Sequence, residues 1–216
     1  MKFAAKLFIG SLFVFLLMGT VDAGQVRVAW VPDGDTLILE NRDVVRLKGI
    51  DAPETGYNGG PAQYFALEAA QRLQELVRGN VITLEPGEPP QDRYGRILAY
   101  AYLPTGENIN VLLVREGYAF YFPHQNQNQE ISSQILAAQQ KAMEEGRGFW
   151  PGVLAVDKPG KEYVGNTRSK RFHVLDCGYG QRISRANQRF FSSLYQAFYE
   201  GFAPCRRCTP WPDEKR

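Results

Sequence analysis

Cysteine is scarce in this chain of 216 residues, and none occurs before Cys177. The other two are Cys205 and Cys208. An odd number of cysteines confined to one end argues against a simple disulfide framework and indicates a local site instead. The absence of cysteine near the N-terminus also argues against lipid attachment there.

Long apolar runs are missing as well. The apolar segment Leu7–Met18 is well short of the roughly 20 residues that a membrane-spanning helix needs. Lys2 and Lys6 precede it and the small residues of Val21–Ala23 follow it, a pattern typical of a secretory signal. We therefore expect 1–23 to be a signal peptide and the protein to be secreted or periplasmic. An uncleaved signal that anchors the chain at the surface is the alternative.

The small net charge of +2 conceals an uneven distribution. Between Gly24 and Gly160 there are 12 Lys and Arg against 17 Asp and Glu, whereas from Lys161 onward there are 11 against 5. A basic segment is usually a solvated face. It gains meaning only where other residues indicate a polyanionic substrate, because Lys and Arg contacts to phosphates dominate nonspecific nucleic-acid affinity.

Short apolar segments bounded by turn residues predict five strands and, where the period changes, three helices. The strands are expected at Gln25–Trp30, Thr36–Glu40, Val44–Ile50, Val81–Glu85 and Ile97–Leu103. The helices are expected at about 66–77, 110–116 and 131–146, and Pro86–Pro90 is expected to be a loop. This α+β order fits a small closed barrel of the five-stranded OB type, although the pattern alone does not select it.

The composition changes near residue 155. We expect a barrel domain over 24–155, a linker over 156–162 and a small α/β module over 163–212. The module is aromatic and basic, and it holds all three cysteines.

Three polar segments of the barrel domain carry the first candidate site: Asp33–Thr36, Arg46–Thr55 and Asp92–Arg96. Each of them alone is more often an ordinary turn. Together they offer carboxylates from Asp35 and Asp51, and a backbone carbonyl near Ala52, to a hard cation.

The same segments offer the other groups that phosphodiester hydrolysis requires. Glu54 is the candidate base that accepts a proton from water. Arg46 and Arg96 are the candidate cations for the charge that develops on the phosphoryl oxygens, because the planar guanidinium can bind two oxygens at once.

These three segments, together with Asn110–Gly117, resemble the thermonuclease family over about Gln25–Pro151. The resemblance implies an OB-fold barrel, a calcium ion, and cleavage of DNA and RNA to 3′-phosphorylated products. The family often has Thr at the position of Ala52, a difference that leaves the backbone carbonyl in place.

The resemblance also implies a role for each matching residue. It implies that Asp35, Asp51 and the Ala52 carbonyl bind calcium and that Asp33 lies just behind these ligands. It implies that Glu54 activates water and that Arg46 and Arg96 hold the phosphate. It also implies that Arg93 and Tyr94 lie at the nucleotide. The family's nucleotide-stacking tyrosine falls near Tyr121.

The second candidate site combines His173 and Cys177 with Cys205 and Cys208. Zinc takes four such ligands in structural sites, and a metal would stabilise a segment of about 50 residues that has little core of its own. A disulfide between Cys205 and Cys208, three free thiols, or an ordinary His173 are the alternatives. His124 has no partner in the sequence and is expected in a loop.

The segment that ends at Cys208 resembles the zinc-binding domain of the Ada methyltransferase over about 163–210. That domain uses four cysteines, and His173 stands here in place of the first, which accepts the methyl group. The resemblance therefore implies a zinc site and DNA contact but no methyl transfer, because histidine lacks the thiolate. The residues that could tether nucleic acid are Arg168, Lys170, Arg171, Arg182, Arg185 and Arg189.

The sequence thus predicts an exported calcium-dependent nuclease that acts on DNA, RNA or both, carries a structural zinc ion and needs no stable protein partner. A non-catalytic OB-type nucleic-acid-binding module with a zinc tail is the main alternative, and an anchored surface scaffold is another.

Overall fold

The computed structural model describes residues 24–56, 59, 61–124, 126–157, 160–208 and 211–212. The expected signal peptide, 1–23, lies outside these residues. Among the helices that are described, none is both long and apolar enough to cross a membrane.

The first part of the chain contains seven described strands and four described helices. The strands are β1 (Gly24–Asp33), β2 (Thr36–Leu39), β3 (Val44–Leu47), β4 (Ile50–Asp51), β5 (Val81–Gln91), β6 (Ile97–Tyr102) and β7 (Phe120–Tyr121). The helices are α1 (Ala66–Val77), α2 (Ile109–Arg115), α3 (Gln129–Glu144) and α4 (Trp150–Ala155).

Five of these strands close into a barrel in the order β1-β2-β3-β6-β5, with β5 paired back to β1. Neighbouring strands are antiparallel except β3 and β6, which are parallel. Apolar side chains such as Leu37, Val45 and Ile82 fill the interior and are inaccessible to solvent. The expected five-stranded, OB-like barrel of an α+β protein is therefore confirmed.

A glycine divides the third expected strand, Val44–Ile50, into β3 and β4. Gly49 has a φ of 84°, which only glycine adopts at low cost. The turn takes the chain out of the barrel wall, and β4 pairs with β7 so that Asp51 lies opposite Phe120. Because of this turn, Arg46 and Asp51 lie in different sheets, yet their side chains are in contact.

The structure differs from the expected elements in two further places. Pro86–Pro90 was expected to be a loop but lies within β5, where a register irregularity between Pro86 and Gln91 accommodates residues that cannot donate to the strand ladder. The helix α4 was not expected, because its six residues include a proline and a glycine.

The second part of the chain is a four-stranded sheet with one short helix. Its elements are β8 (Tyr163–Asn166), β9 (Arg171–Val174), a 3₁₀ turn (Arg185–Asn187), β10 (Gln188–Phe191), α5 (Leu194–Tyr199) and β11 (Ala203–Pro204). The strand order is β10-β8-β9-β11, and β11 runs parallel to β9.

A buried aromatic cluster joins the two parts across the expected linker. Trp150 of α4 and Phe120 of β7 both pack on Phe198 of α5, with ring centroids 5.0 and 5.9 Å apart. The buried amide of Gln139 donates to the Phe198 carbonyl at 2.6 Å and accepts from the Tyr121 amide at 2.7 Å. These contacts fix the position of the sheet relative to β4 and β7.

Candidate active site

Arg46 joins the two acidic residues of the first candidate site. Its Nη2 lies 2.8 Å from Asp35 Oδ2 and 2.5 Å from Asp51 Oδ1, and all three side chains are at most 10% exposed. Strand pairing explains the first contact, because Arg46 lies opposite Thr36, the residue after Asp35. The turn at Gly49 explains the second.

The Asp35 carboxylate is held rigidly inside the protein. Its Oδ2 accepts a hydrogen bond from the Ala52 amide at 2.7 Å. Burial raises the pKa of Asp35 well above its ordinary value against the opposing charge of Arg46, and the nearby carboxylates of Asp33 and Asp51 raise it further. Asp35 is therefore harder to ionise in the metal-free protein than an ordinary aspartate.

Glu54 lies beside these carboxylates on a loop that is pinned to residues ahead of α1. Its backbone amide donates to the Gln63 side chain and its carbonyl accepts from the Gln63 amide, both at 2.8 Å. The Glu54 side chain is 46% exposed and can reach a water molecule. Burial raises the pKa of Glu54 against the charge of Arg206, and the charge of Asp51 raises it further, so the carboxylate is a stronger base than that of an ordinary glutamate.

The turn that follows β5 presents Arg96 and Tyr94. One oxygen of Asp92 accepts from the amides of Tyr94 and Arg96 at 2.9 and 3.0 Å, and the other accepts from Arg96 Nε at 2.8 Å. Asp92 therefore orients the guanidinium. Arg93 contacts the hydroxyl of Tyr94 at 2.6 Å, and the Tyr94 ring is 69% exposed.

One open cavity of about 360 Å³ brings these groups together. Its lining consists of Asp33, Asp35, Arg46, Glu54, Tyr94, Arg96 and Arg206. Asp51 and Ala52 line a smaller cavity beside it, and Arg93 lines a third. These three adjoining cavities form one groove, and every residue that the sequence assigned to the first site lines it. The half-buried Tyr121 lines none of the three cavities.

The oxygen donors of this site fit a hard cation of the calcium type. Asp35 and Asp51 offer two buried carboxylates, and three acidic side chains surround Arg46. Two carboxylates are too few to complete the six to eight oxygens that calcium takes, so backbone carbonyls and water would supply the remainder.

The second candidate site is compact. The ligand atoms of His173, Cys177, Cys205 and Cys208 all lie within 4.8 Å of one another. His173 Nδ1 is 3.6 Å from Cys177 Sγ and 3.8 Å from Cys208 Sγ. Thiolates bound to zinc at about 2.3 Å in a tetrahedron lie about 3.8 Å apart, so the spacing fits.

The chemistry of the four ligands favours a metal over a disulfide. The three cysteines are free, so Cys205 and Cys208 are not joined. Burial and the neighbouring sulphurs of Cys177 and Cys205 raise the pKa of Cys208 to about 12, which means that its thiolate needs a cation beside it. The pairing of β11 with β9 brings His173 next to the loop that carries Cys205.

One residue of the groove was not predicted. Arg206 lies in the loop between the candidate zinc ligands Cys205 and Cys208, which is the zinc loop. Its Nη2 is 2.8 Å from Asp51 Oδ1 and 3.5 Å from Glu54 Oε1. The only feature of the sequence that draws attention to Arg206 is its position between two candidate zinc ligands. That position does not predict a contact with Asp51. His124 lies in a loop, as expected, with its ring 4.9 Å from that of Phe122.

Two family models match the chain. The model described as staphylococcal nuclease homologue matches residues 44–152, half of the chain. It includes Arg46, Asp51, Glu54 and Arg96 but not Asp35. The model described as metal binding domain of Ada matches residues 156–211, which contain the four candidate zinc ligands.

Curated relatives agree with these matches. Thermonuclease of Staphylococcus intermedius is 35% identical over 126 residues, which are 56% of this chain and 72% of that protein. An uncharacterized endonuclease of Escherichia coli is 33% identical over 57% of this chain and 75% of its own length. Endonuclease YhcR of Bacillus subtilis (strain 168) is 29% identical over 80% of this chain, which spans only 16% of that relative.

Proposed function

We propose that this chain, which belongs to the staphylococcal nuclease homologue family, is an exported, calcium-dependent endonuclease that hydrolyses phosphodiester bonds of DNA and RNA. The observation that carries the proposal is the single cavity into which Asp35, Arg46, Glu54 and Arg96 all project. It contains hard oxygen donors, a base and three guanidinium groups, and phosphodiester hydrolysis needs parts of these kinds.

In the proposed mechanism Glu54 accepts a proton from the water whose oxygen bonds to phosphorus, and the P–O ester bond to the departing nucleoside oxygen breaks as that oxygen takes up a proton from solvent. Its raised pKa and its partial exposure support this role. Arg46 and Arg96 hold the phosphoryl oxygens and balance the charge that builds up on them, and Asp92 keeps Arg96 oriented. Arg93 and Tyr94 contact the nucleotide beside the scissile bond.

Asp35, Asp51 and the Ala52 carbonyl would hold calcium, with Asp33 just behind them. The bound ion would supply positive charge to the phosphate and neutralise the carboxylates. A cation that engages the carboxylates of Asp35 and Asp51 would leave the guanidinium of Arg46 available to the substrate.

Export and zinc complete the proposal. Export rests on the charged and apolar pattern of residues 1–23, which lie outside the described part of the chain. The close approach of the ligand atoms of His173 and the three cysteines, all within 4.8 Å of one another, supports a structural zinc ion. Calcium and zinc then have separate sites with ligands of different hardness.

Incubation of the purified protein with supercoiled plasmid and with RNA tests the proposed function directly. We expect degradation with calcium and none after calcium is removed by a chelator that leaves zinc bound. Re-addition of calcium should restore cleavage. A folded, zinc-loaded protein that binds nucleic acid but leaves both substrates intact with calcium would establish the non-catalytic binding module instead.

Calcium affinity should increase with pH. Because burial raises the pKa of Asp35, the metal-free protein holds a proton there more tightly than an ordinary aspartate, and calcium must expel it. The affinity therefore rises as the pH increases through that pKa and becomes constant above it. Calorimetric titration of calcium in buffers of different ionisation enthalpy measures both the affinity and the protons released.

The exposed Asp43 provides the control for this titration. Asp43→Asn removes a carboxylate outside the groove and should leave the affinity and the proton release unchanged. Calcium binding without proton release, and with the same affinity at every pH, would contradict the assignment of Asp35 as a buried ligand.

A further inference from the structure

The four-stranded sheet and its loops, which carry the candidate zinc ligands and form the zinc module, place the side chain of Arg206 in the groove of the barrel domain. Arg206 is separated from Asp51 by 155 residues, yet Nη2 of Arg206 donates to Asp51 Oδ1 at 2.8 Å. The same nitrogen lies 3.5 Å from the Glu54 carboxylate. The Arg206 guanidinium is charged in the groove, because arginine does not lose its proton in proteins.

A short series of packed contacts holds the backbone of Arg206 in place. The Cys205 amide donates to the Phe172 carbonyl at 2.9 Å. The Phe172 ring packs on Phe198 at 5.2 Å, and Phe198 packs on Phe120 at 5.9 Å. Phe120 is in turn the strand partner of Asp51. The zinc loop and the carboxylate site are therefore linked through buried aromatic rings.

The Arg206 side chain is largely exposed to the groove. It is 63% exposed, whereas Asp51 is 6% exposed. Asp51 Oδ1 is also the oxygen that contacts Arg46, so a cation bound there would compete with both guanidinium groups. A phosphate in the groove would then offer Arg206 a second anion beside Glu54, and the guanidinium could bind two of the phosphate oxygens.

The shape of the groove supports a substrate contact at this position. Arg206 lines the cavity that contains Glu54 and also the adjoining cavity that contains Arg93 and Phe122. The two cavities share Arg46, Tyr94 and Arg96 as well. A nucleic-acid strand that occupies both cavities would therefore pass Arg206.

From these contacts we propose that Arg206 is a phosphate-binding residue of the nuclease and that the zinc ion positions it. The proposal rests on the proposed nuclease function and assigns the zinc module a part in the active site. Arg206 binds the substrate together with Arg46 and Arg96, and the ordered Cys205–Cys208 loop holds its backbone within reach.

The kinetic test compares Arg206→Ala with Arg206→Lys and Arg207→Ala. Arg207 is a matched control, since it occupies the next position of the same loop and its guanidinium lies over the Tyr179 ring at 5.3 Å. We expect Arg206→Ala to raise KM for a short single-stranded DNA by about 10- to 100-fold, the usual effect of losing a hydrogen bond between charged groups. Lysine should restore part of the loss, and Arg207→Ala should have a much smaller effect.

Binding measurements provide a readout that does not depend on turnover. In Glu54→Gln protein with calcium, fluorescence anisotropy of a labelled oligonucleotide should show the same 10- to 100-fold weakening when Arg206→Ala is added. Removal of zinc should weaken binding to Glu54→Gln by a similar factor. It should have little further effect on the double variant, because the positioned side chain is already missing.

Three results would overturn the proposal. The first is an Arg206→Ala variant that equals the wild type in KM and in binding, which would mean that the side chain does not touch substrate. The second is an Arg206→Ala variant that is faster than the wild type, which would identify Arg206 as a group that blocks the site. The third is an Arg207→Ala variant that weakens binding as much as Arg206→Ala, which would indicate a diffuse charge effect. Failure of the proposed function is a separate outcome, since the wild type would then not cut at all while the anisotropy comparison still reports on Arg206.

Discussion

Glu54→Gln should lower kcat for DNA cleavage by about 10²- to 10⁴-fold, the usual contribution of a general base. The substitution keeps the size of the side chain, and the backbone bonds to Gln63 that hold the loop are unaffected. The amide cannot accept a proton from water. Because Glu54 is not a proposed calcium ligand, the variant should still bind calcium and the oligonucleotide. Initial rates at saturating substrate measure the effect.

The exposed Glu68 of α1 offers a control with the same chemical change. Glu68→Gln should retain the wild-type kcat, and thermal unfolding should show that both variants are folded. A Glu54→Gln enzyme that keeps a third or more of the wild-type kcat would require a different base. The proposed mechanism would then be wrong even if the protein is a nuclease.

Of all these variants, Cys208→Ser should cause the largest decrease in the free energy of unfolding. The cysteine is one of four ligand atoms within 4.8 Å of one another, and loss of a structural metal belongs to the class of changes that cost about 4 kcal/mol or more. For a chain of this size that corresponds to a fall in the unfolding midpoint of about 8–16 °C. The zinc content, measured by elemental analysis, should fall from about one ion per chain to nearly none.

Metal re-addition distinguishes zinc from calcium in this experiment. Wild-type protein stripped of zinc should show a similar fall in midpoint, and zinc should restore it where calcium does not. Zinc should fail to restore Cys208→Ser. An unchanged midpoint and zinc content in Cys208→Ser would contradict the assignment of the site.

Much of the candidate site could be predicted because its residues are close in the sequence. Asp35, Arg46, Asp51 and Glu54 lie within one short stretch of strands and turns, where alternation along a strand and the preferences of turn residues limit the possible geometry. The candidate zinc ligands were predictable for a similar reason, since their close spacing in two short segments, His173–Cys177 and Cys205–Cys208, is typical of a zinc site. Five strands with a helix between the third and fourth fit the barrel, and the resemblance to the thermonuclease family selected it from other α+β folds.

Other features depended on contacts that local patterns do not specify. The prolines of β5 are typical of a loop, and only pairing with β6 around a register irregularity keeps them in a strand. The short α4 is stabilised by the burial of Trp150 against Phe198, a residue of the second sheet. Helical spacing within six residues cannot indicate that contact.

The amino-acid sequence by itself determined the five strands of the barrel, the first group of acidic and basic residues and the four candidate zinc ligands, because short-range spacing limits how those side chains can be arranged. Only the tertiary structure decided that the two parts share an aromatic core and that Arg206 reaches Asp51. The reason is physical: packing of Phe120, Phe198 and Phe172 sets the distance between residues 155 positions apart, and no local pattern along the chain encodes which buried faces will meet.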